Sequence, residues 1–127
     1  MKFKLSTLFI INAAFALLGA LGLLFMPDQL MASYGSTLTE SGIFLSQIMG
    51  TILLGIAVIS YLAKDIKDKI ALNALLTGFI IAHAGGFIIS LLAASSGVLN
   101  QMAAVDIFIH GVFAAGFGYF LFQTQKS

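Results

Sequence analysis

A chain of 127 residues that is 60% hydrophobic and 9% charged falls well below the roughly 25% charge of a soluble domain. With a mean hydropathy of +1.07 it has too little polar surface to dissolve a globule or to keep a disordered chain expanded, so its solvent is lipid. The lack of cysteine excludes disulfides and thiolate chemistry, and a net charge of +1 carried only by lysines excludes the basic groove that a nucleic-acid partner needs.

Crossing about 30 Å of hydrocarbon takes about 20 apolar residues in a helix, and four such runs are predicted at residues 5–26, 42–63, 70–94 and 103–122. The first follows Met1-Lys2-Phe3-Lys4, which looks like the charged start of a signal peptide. Its apolar run exceeds the roughly 7–15 residues of a signal core and ends without a small-x-small cleavage site, so a retained span is expected. Pro27-Asp28 ends it, because proline removes a donor and moves the preceding residue out of the helical region. In segment 27–34, Leu30, Met31 and Tyr34 share helical spacing, which fits a short interfacial helix or an ordered loop equally well. The turn from Lys64 through Asp65, Ile66, Lys67 and Asp68 to Lys69 separates the second and third spans. Ser95-Ser96-Gly97 and Asn100-Gln101 form a polar, cap-rich turn before the fourth. Runs such as Leu17-Leu18-Gly19-Ala20-Leu21 lack the alternation of barrel strands, which leaves an all-α reading.

Lys2 and Lys4 precede the first span, Lys64, Lys67 and Lys69 lie between the second and third, and Lys126 follows the fourth; the other two connections hold none. The positive-inside bias then places both termini in the cytoplasm. Asp28, Glu40 and Asp106 fall on the outer side. The expected architecture is one domain, 1–127: an antiparallel four-helix transmembrane bundle in a cell membrane, that of a bacterium being the inner one.

Small residues recur at close-packing spacing: Ala16, Gly19 and Ala20; Ser46, Gly50 and Ala57; Gly78, Ala82 and Gly86; Gly111, Ala114, Ala115 and Gly118. Lipid supplies no hydrophobic drive between helices, so these stripes are expected to form the internal seams of the bundle, with a homo-oligomeric seam as the alternative. Tyr34, Tyr61 and Tyr119 suit the headgroup zone. The twelve phenylalanines read as lipid contacts and core filling.

Polar side chains inside a span are costly and therefore functional candidates: Asn12, Gln47, His83, Asp106 and His110. Counted from the span ends, His83 lies about 20 Å from the inner boundary, and His110, Gln47 and Asp106 about 10, 8 and 5 Å below the outer one. His83, His110, Asp106 and Gln47 are therefore expected to cluster in the outer half. Asp106 and His110, four apart, share a helix face on which the carboxylate can hold the imidazole, although Asp106 also suits a helix N-terminus. His83 can be satisfied by a backbone carbonyl or by Gln47. A two-histidine haem site, a metal site from His83, Asp106 and His110, and a quinone or proton contact are the functional alternatives; closely packed glycines argue against a haem-sized gap. No Walker loop, dinucleotide fingerprint or HExxH motif occurs, and no nucleophile has a base beside it.

The stretches 22–28 (GLLFMPD), 50–57 (GTILLGIA) and 96–100 (SGVLN), with His110 and 116–121 (GFGYFL), give the chain a resemblance to small bacterial four-span membrane proteins without assigned activity. It is similar to DoxX-like proteins in size and layout. Neither resemblance implies a site or cofactor. The expected function is that of a non-enzymatic multi-pass protein acting through lipid or membrane-protein contacts. The alternative is redox-linked or small-molecule binding, of quinone, haem or metal, at the polar cluster.

Overall fold

A computed structural model describes residues 3–126, and among these every regular element is helical: α1 (Leu5–Phe25), α2 (Pro27–Ser33), α3 (Glu40–Ala63), α4 (Lys69–Ser95) and α5 (Ala103–Lys126). Lys2, which the charge argument used, lies outside the described residues. The helices α1, α3, α4 and α5 are each long and apolar enough to cross a membrane, which supports a transmembrane helical bundle. The reason is general: in hydrocarbon every backbone N–H and C=O must find its partner within the segment, and a helix does that locally. The expected spans hold to within a few residues, except that α5 runs four positions beyond 122.

The breaks follow local chemistry. Met26, held out of the helical region by Pro27, takes φ −141° and ψ 48°, and Pro27 opens α2 at a position where its missing donor costs nothing. Segment 27–34 is therefore a helix rather than a loop, folded back so that Leu30 lies against Gly22. Both α2 and α4 end in a Schellman motif. Gly35 (φ 78°) and Gly97 (φ 73°) adopt the left-handed conformation, and the amides of Gly35, Ser36, Gly97 and Val98 return to the carbonyls of Ala32, Met31, Ala94 and Ala93. Thr39 Oγ1 caps α3 through Gly42 N at 3.2 Å, and Asp68 Oδ1 caps α4 through Ala71 N at 2.7 Å.

α1 packs along α3, α4 packs along α5, and the two pairs meet through α1. The core is aromatic: Phe79 and Phe117 stack with ring centroids 5.1 Å apart, and Phe9 closes on both, with Leu8, Leu76, Phe113 and Ala63 around them. The small-residue stripes divide. At Gly50 an added Cβ would stand 2.9 Å from Leu24 Cγ and 3.1 Å from the Ala20 carbonyl oxygen, so the α1–α3 seam is set by this glycine with Ala16, Ala20 and Ala57. By contrast Gly78, in the expected α4 seam, has open space beside it. Only the Gly86 end of that stripe is packed.

Replacing Gly50 by leucine is expected to cost about 1–3 kcal/mol through overpacking against backbone, read as a lower unfolding midpoint in detergent. Gly55→Ala, where nothing lies within 4 Å, should not lower the midpoint.

Candidate functional site

Each of the four long helices turns a polar residue toward the interior. In α1, Asn12 falls in the buried set Leu8, Phe9, Ala13, Ala16 and Ala20; in α3, Ser60 shares a face with Gly50 and Ala57. In α4, His83 follows Leu76 and Phe79 at spacings of seven and four and precedes Ser90 by seven. In α5, His110 precedes Phe113 and Phe117. Helical periodicity thus turns all four toward the same interior.

There they form one hydrogen-bonded row. Asn12 Nδ2 donates to Ser60 Oγ at 2.8 Å, His83 Nε2 lies 2.9 Å from Asn12 Oδ1, and His83 Nδ1 lies 3.0 Å from His110 Nδ1. The amide fixes the proton positions. Its oxygen can only accept, so His83 Nε2 carries the hydrogen; in the neutral pair His83 Nδ1 is then bare and His110 Nδ1 donates to it. That leaves His110 Nε2 as the acceptor at the end of the row, without a hydrogen-bond partner among the described residues. Asn12 and Ser60 are 2% and 0% exposed, whereas His110 is half-buried, so the row runs from a closed interior to an accessible ring. His83 stacks on Phe113 with centroids 4.9 Å apart and planes at 24°. His110 lies over Gly86, where a Cβ would fall 2.6–2.7 Å from the ring atoms; glycine is what lets the ring reach α4.

The candidates singled out in the sequence are therefore only partly brought together. His83 and His110 touch. Asp106, in the first turn of α5 where the helix dipole favours a carboxylate, makes no hydrogen bond with His110 among the described residues. It accepts one from the Tyr34 hydroxyl at 2.9 Å instead. Gln47 bonds neither histidine; its Nε2 donates to the Leu24 carbonyl at 3.3 Å, one of the acceptors left open at the end of α1. Asn12, weighed but not placed in the cluster, sits at the centre of the row. Ser60 closes the row, and its one signal in the sequence is its register with Gly50 and Ala57.

The helices are staggered, so depths counted from each span's own end do not share one origin. Phe9 meets Phe79 and Asn12 meets His83, 71 positions later. Leu5 is thus level with about residue 75, and α4 starts about 9 Å before α1 does. His83 accordingly stands beside the eighth residue of the 21-residue α1, near mid-height rather than in the outer half.

This geometry bears on the ligand alternatives. Tetrahedral zinc held by two imidazole nitrogens at about 2.0–2.1 Å each would keep them about 3.3 Å apart, and two imidazoles on opposite faces of a haem iron stand about 4 Å apart. Nitrogens 3.0 Å apart are joined directly by a hydrogen bond and leave no room for a haem between them. Among the described residues no three of His, Cys, Asp and Glu converge as a metal site would require.

At the other end of the helices a second polar set ties the loops. Asn100 N donates to the Tyr34 carbonyl at 2.9 Å, Asn100 Nδ2 donates to the Ser33 carbonyl at 2.9 Å, and Asn100 Oδ1 accepts from Met102 N at 2.8 Å. Burial first, then the hydrogen bond and negative charge of Asp106, push the Tyr34 phenol from 10.0 up to about 12.

Because the folded phenol holds its proton more tightly, the stability from this contact is complete below pH ~10 and lost as pH rises through about 12. Wild type and Tyr34→Phe should differ in this alkaline window: the fall in unfolding midpoint due to Tyr34 disappears in the variant. Within the row, Asn12→Leu strands both Ser60 and His83 and is expected to cost about 1–2 kcal/mol, measured by denaturation in detergent, whereas Thr51→Val, which removes a hydroxyl bonded only to the carbonyl one turn back, should be near neutral.

Comparison of the chain with protein-family models, with curated proteins and with solved structures finds no match, so its own geometry is what carries a functional reading.

Proposed function

We propose that this chain is a small multi-pass cell-membrane protein, a single-domain antiparallel four-helix bundle, that acts through lipid and membrane-protein contacts and not by catalysis. The observation that carries this reading is how the polar groups are used. Asn12, Ser60, His83 and His110 bond one another, Gln47 bonds a helix end, and Asn73 Oδ1 accepts from Thr124 Oγ1 at 2.7 Å. The outward faces are left to exposed side chains such as Leu18, Ile52, Ile81, Ile89 and Phe108. Such a surface suits acyl chains or another apolar helix, and the open Gly78–Ala82 face of α4 is a natural place for a second copy.

The contact order supports the antiparallel reading: early in α1, Asn12 meets Ser60 late in α3, while Ala20 and Leu24 meet Gly50. Lys4, Lys64, Lys67, Lys69 and Lys126 share one end of the helices, and Asp28, Glu40 and Asp106 lie at the other, which supports cytoplasmic termini and, in a bacterium, the inner membrane. One observation favours a second reading. The free acceptor at His110 Nε2 could take a hydrogen bond from a hydroxyl-bearing, lipid-soluble molecule such as a quinol.

Protein purified in mild detergent is expected to be colourless and free of stoichiometric metal, and lipid extracts should contain no enriched quinone. A Soret band, bound metal or a copurifying quinone would overturn the first reading in favour of the second. Reporter fusions at Lys126 and within 28–40 should read cytoplasm and exterior respectively.

A further inference from the structure

Along the α1–α3 pair runs a furrow of about 370 Å³. Its floor is made of Ala13, Ala14 and Ala57, whose small side chains leave a trough between larger neighbours. It reaches from Tyr61, two residues before the end of α3, to Leu54 and Leu17 near mid-height. At about 1.5 Å per residue, Leu54 lies about 13 Å from the end of α3, close to the ~15 Å half-thickness of a bilayer core. The furrow therefore reaches from near the lysine end of α3 to about the bilayer midplane.

The Tyr61 end of the furrow lies beside the cations. Lys64 Nζ is held 3.8 Å over the Tyr61 ring, with Asp65 as a counter-ion at 3.2 Å whose side chain is 79% exposed. Among the described residues this end has five lysines and two aspartates, whereas the far end has three carboxylates and no lysine. The charge there is complementary to an anionic headgroup, and basic positions at the cytoplasmic ends of helices attract such lipids.

We infer that the α1–α3 furrow is a binding site for an anionic phospholipid of the lysine-side leaflet: one acyl chain lies over Ala13, Ala14 and Ala57, and the phosphate meets Lys64 Nζ and the Tyr61 hydroxyl. The site rests on the lipid-contact reading above and gives it a headgroup. In the Lys64–Asp65 pair Asp65 is largely exposed and Lys64 partly so, which makes the pair cheap to open, so Lys64 can turn to phosphate.

The test reconstitutes the protein in vesicles of phosphatidylglycerol and phosphatidylcholine with identical chains, extracts it gently, and counts retained lipids by native mass spectrometry. Wild type should retain phosphatidylglycerol about fivefold over phosphatidylcholine, the selectivity one lysine near a surface provides. Lys64→Gln should equalise the two, and Ala14→Leu, which fills the furrow from an exposed position, should lower both. Equal retention by wild type, a preference unchanged in Lys64→Gln, or retention unchanged in Ala14→Leu overturns the site. Helical circular dichroism identical to wild type shows that each variant is folded. A failed headgroup preference leaves the broader lipid-contact reading in place, whereas a Soret band or bound metal overturns that reading whatever the lipid count.

Discussion

A polar side chain in hydrocarbon has no water to fall back on, and Asn12 meets that constraint by bonding in two directions at once. Its amide nitrogen holds Ser60 in α3 and its oxygen holds His83 in α4. The second bond joins the α1–α3 pair to the α4–α5 pair, beside aromatic packing around Phe9, Phe79 and Phe117 and the contact of Phe15 with Phe113. Stacked rings tolerate sliding. A directional amide does not, so the row sets the register in which the two pairs meet.

That register has consequences along the whole molecule. It lets α4 and α5 start and finish beyond α1 at the lysine end, where Asn73 and Thr124 bond. At the opposite end it brings Asn100 and Asp106 to Ser33, Tyr34 and Gly35. The α2 turn, which sequence alone leaves open between helix and loop, is thereby fastened to the α4–α5 connection. The His110 ring can lie on α4 only because position 86 is glycine. The row thus depends on packing choices as much as on its polar members.

Glycine and alanine act in two ways in this chain. At Gly50 and Ala57 small size brings α1 and α3 close enough for Asn12 to reach Ser60. At Ala14, which lines a furrow together with Ala13 and Ala57, small size leaves room beside that seam instead. A stripe of small residues tells where something can come near. Whether that is another helix or an acyl chain depends on how the helix is rotated.

The sequence by itself determined the helices and their ends, because hydropathy, proline, glycine and capping residues act over a few neighbouring positions: 5–26 became Leu5–Phe25, and Gly97 closes α4 as a C-terminal glycine does. It also marked His83 and His110 as costly groups, since the expense of a polar atom in lipid belongs to the residue itself. Only the tertiary structure decided which polar groups met. Helix stagger moved His83 to the level of Asn12, Tyr34 drew Asp106 away from His110, and Gln47 turned to the end of α1. Stagger and rotation arise from side chains dozens of positions apart fitting one another, a relation that no local pattern along the chain encodes.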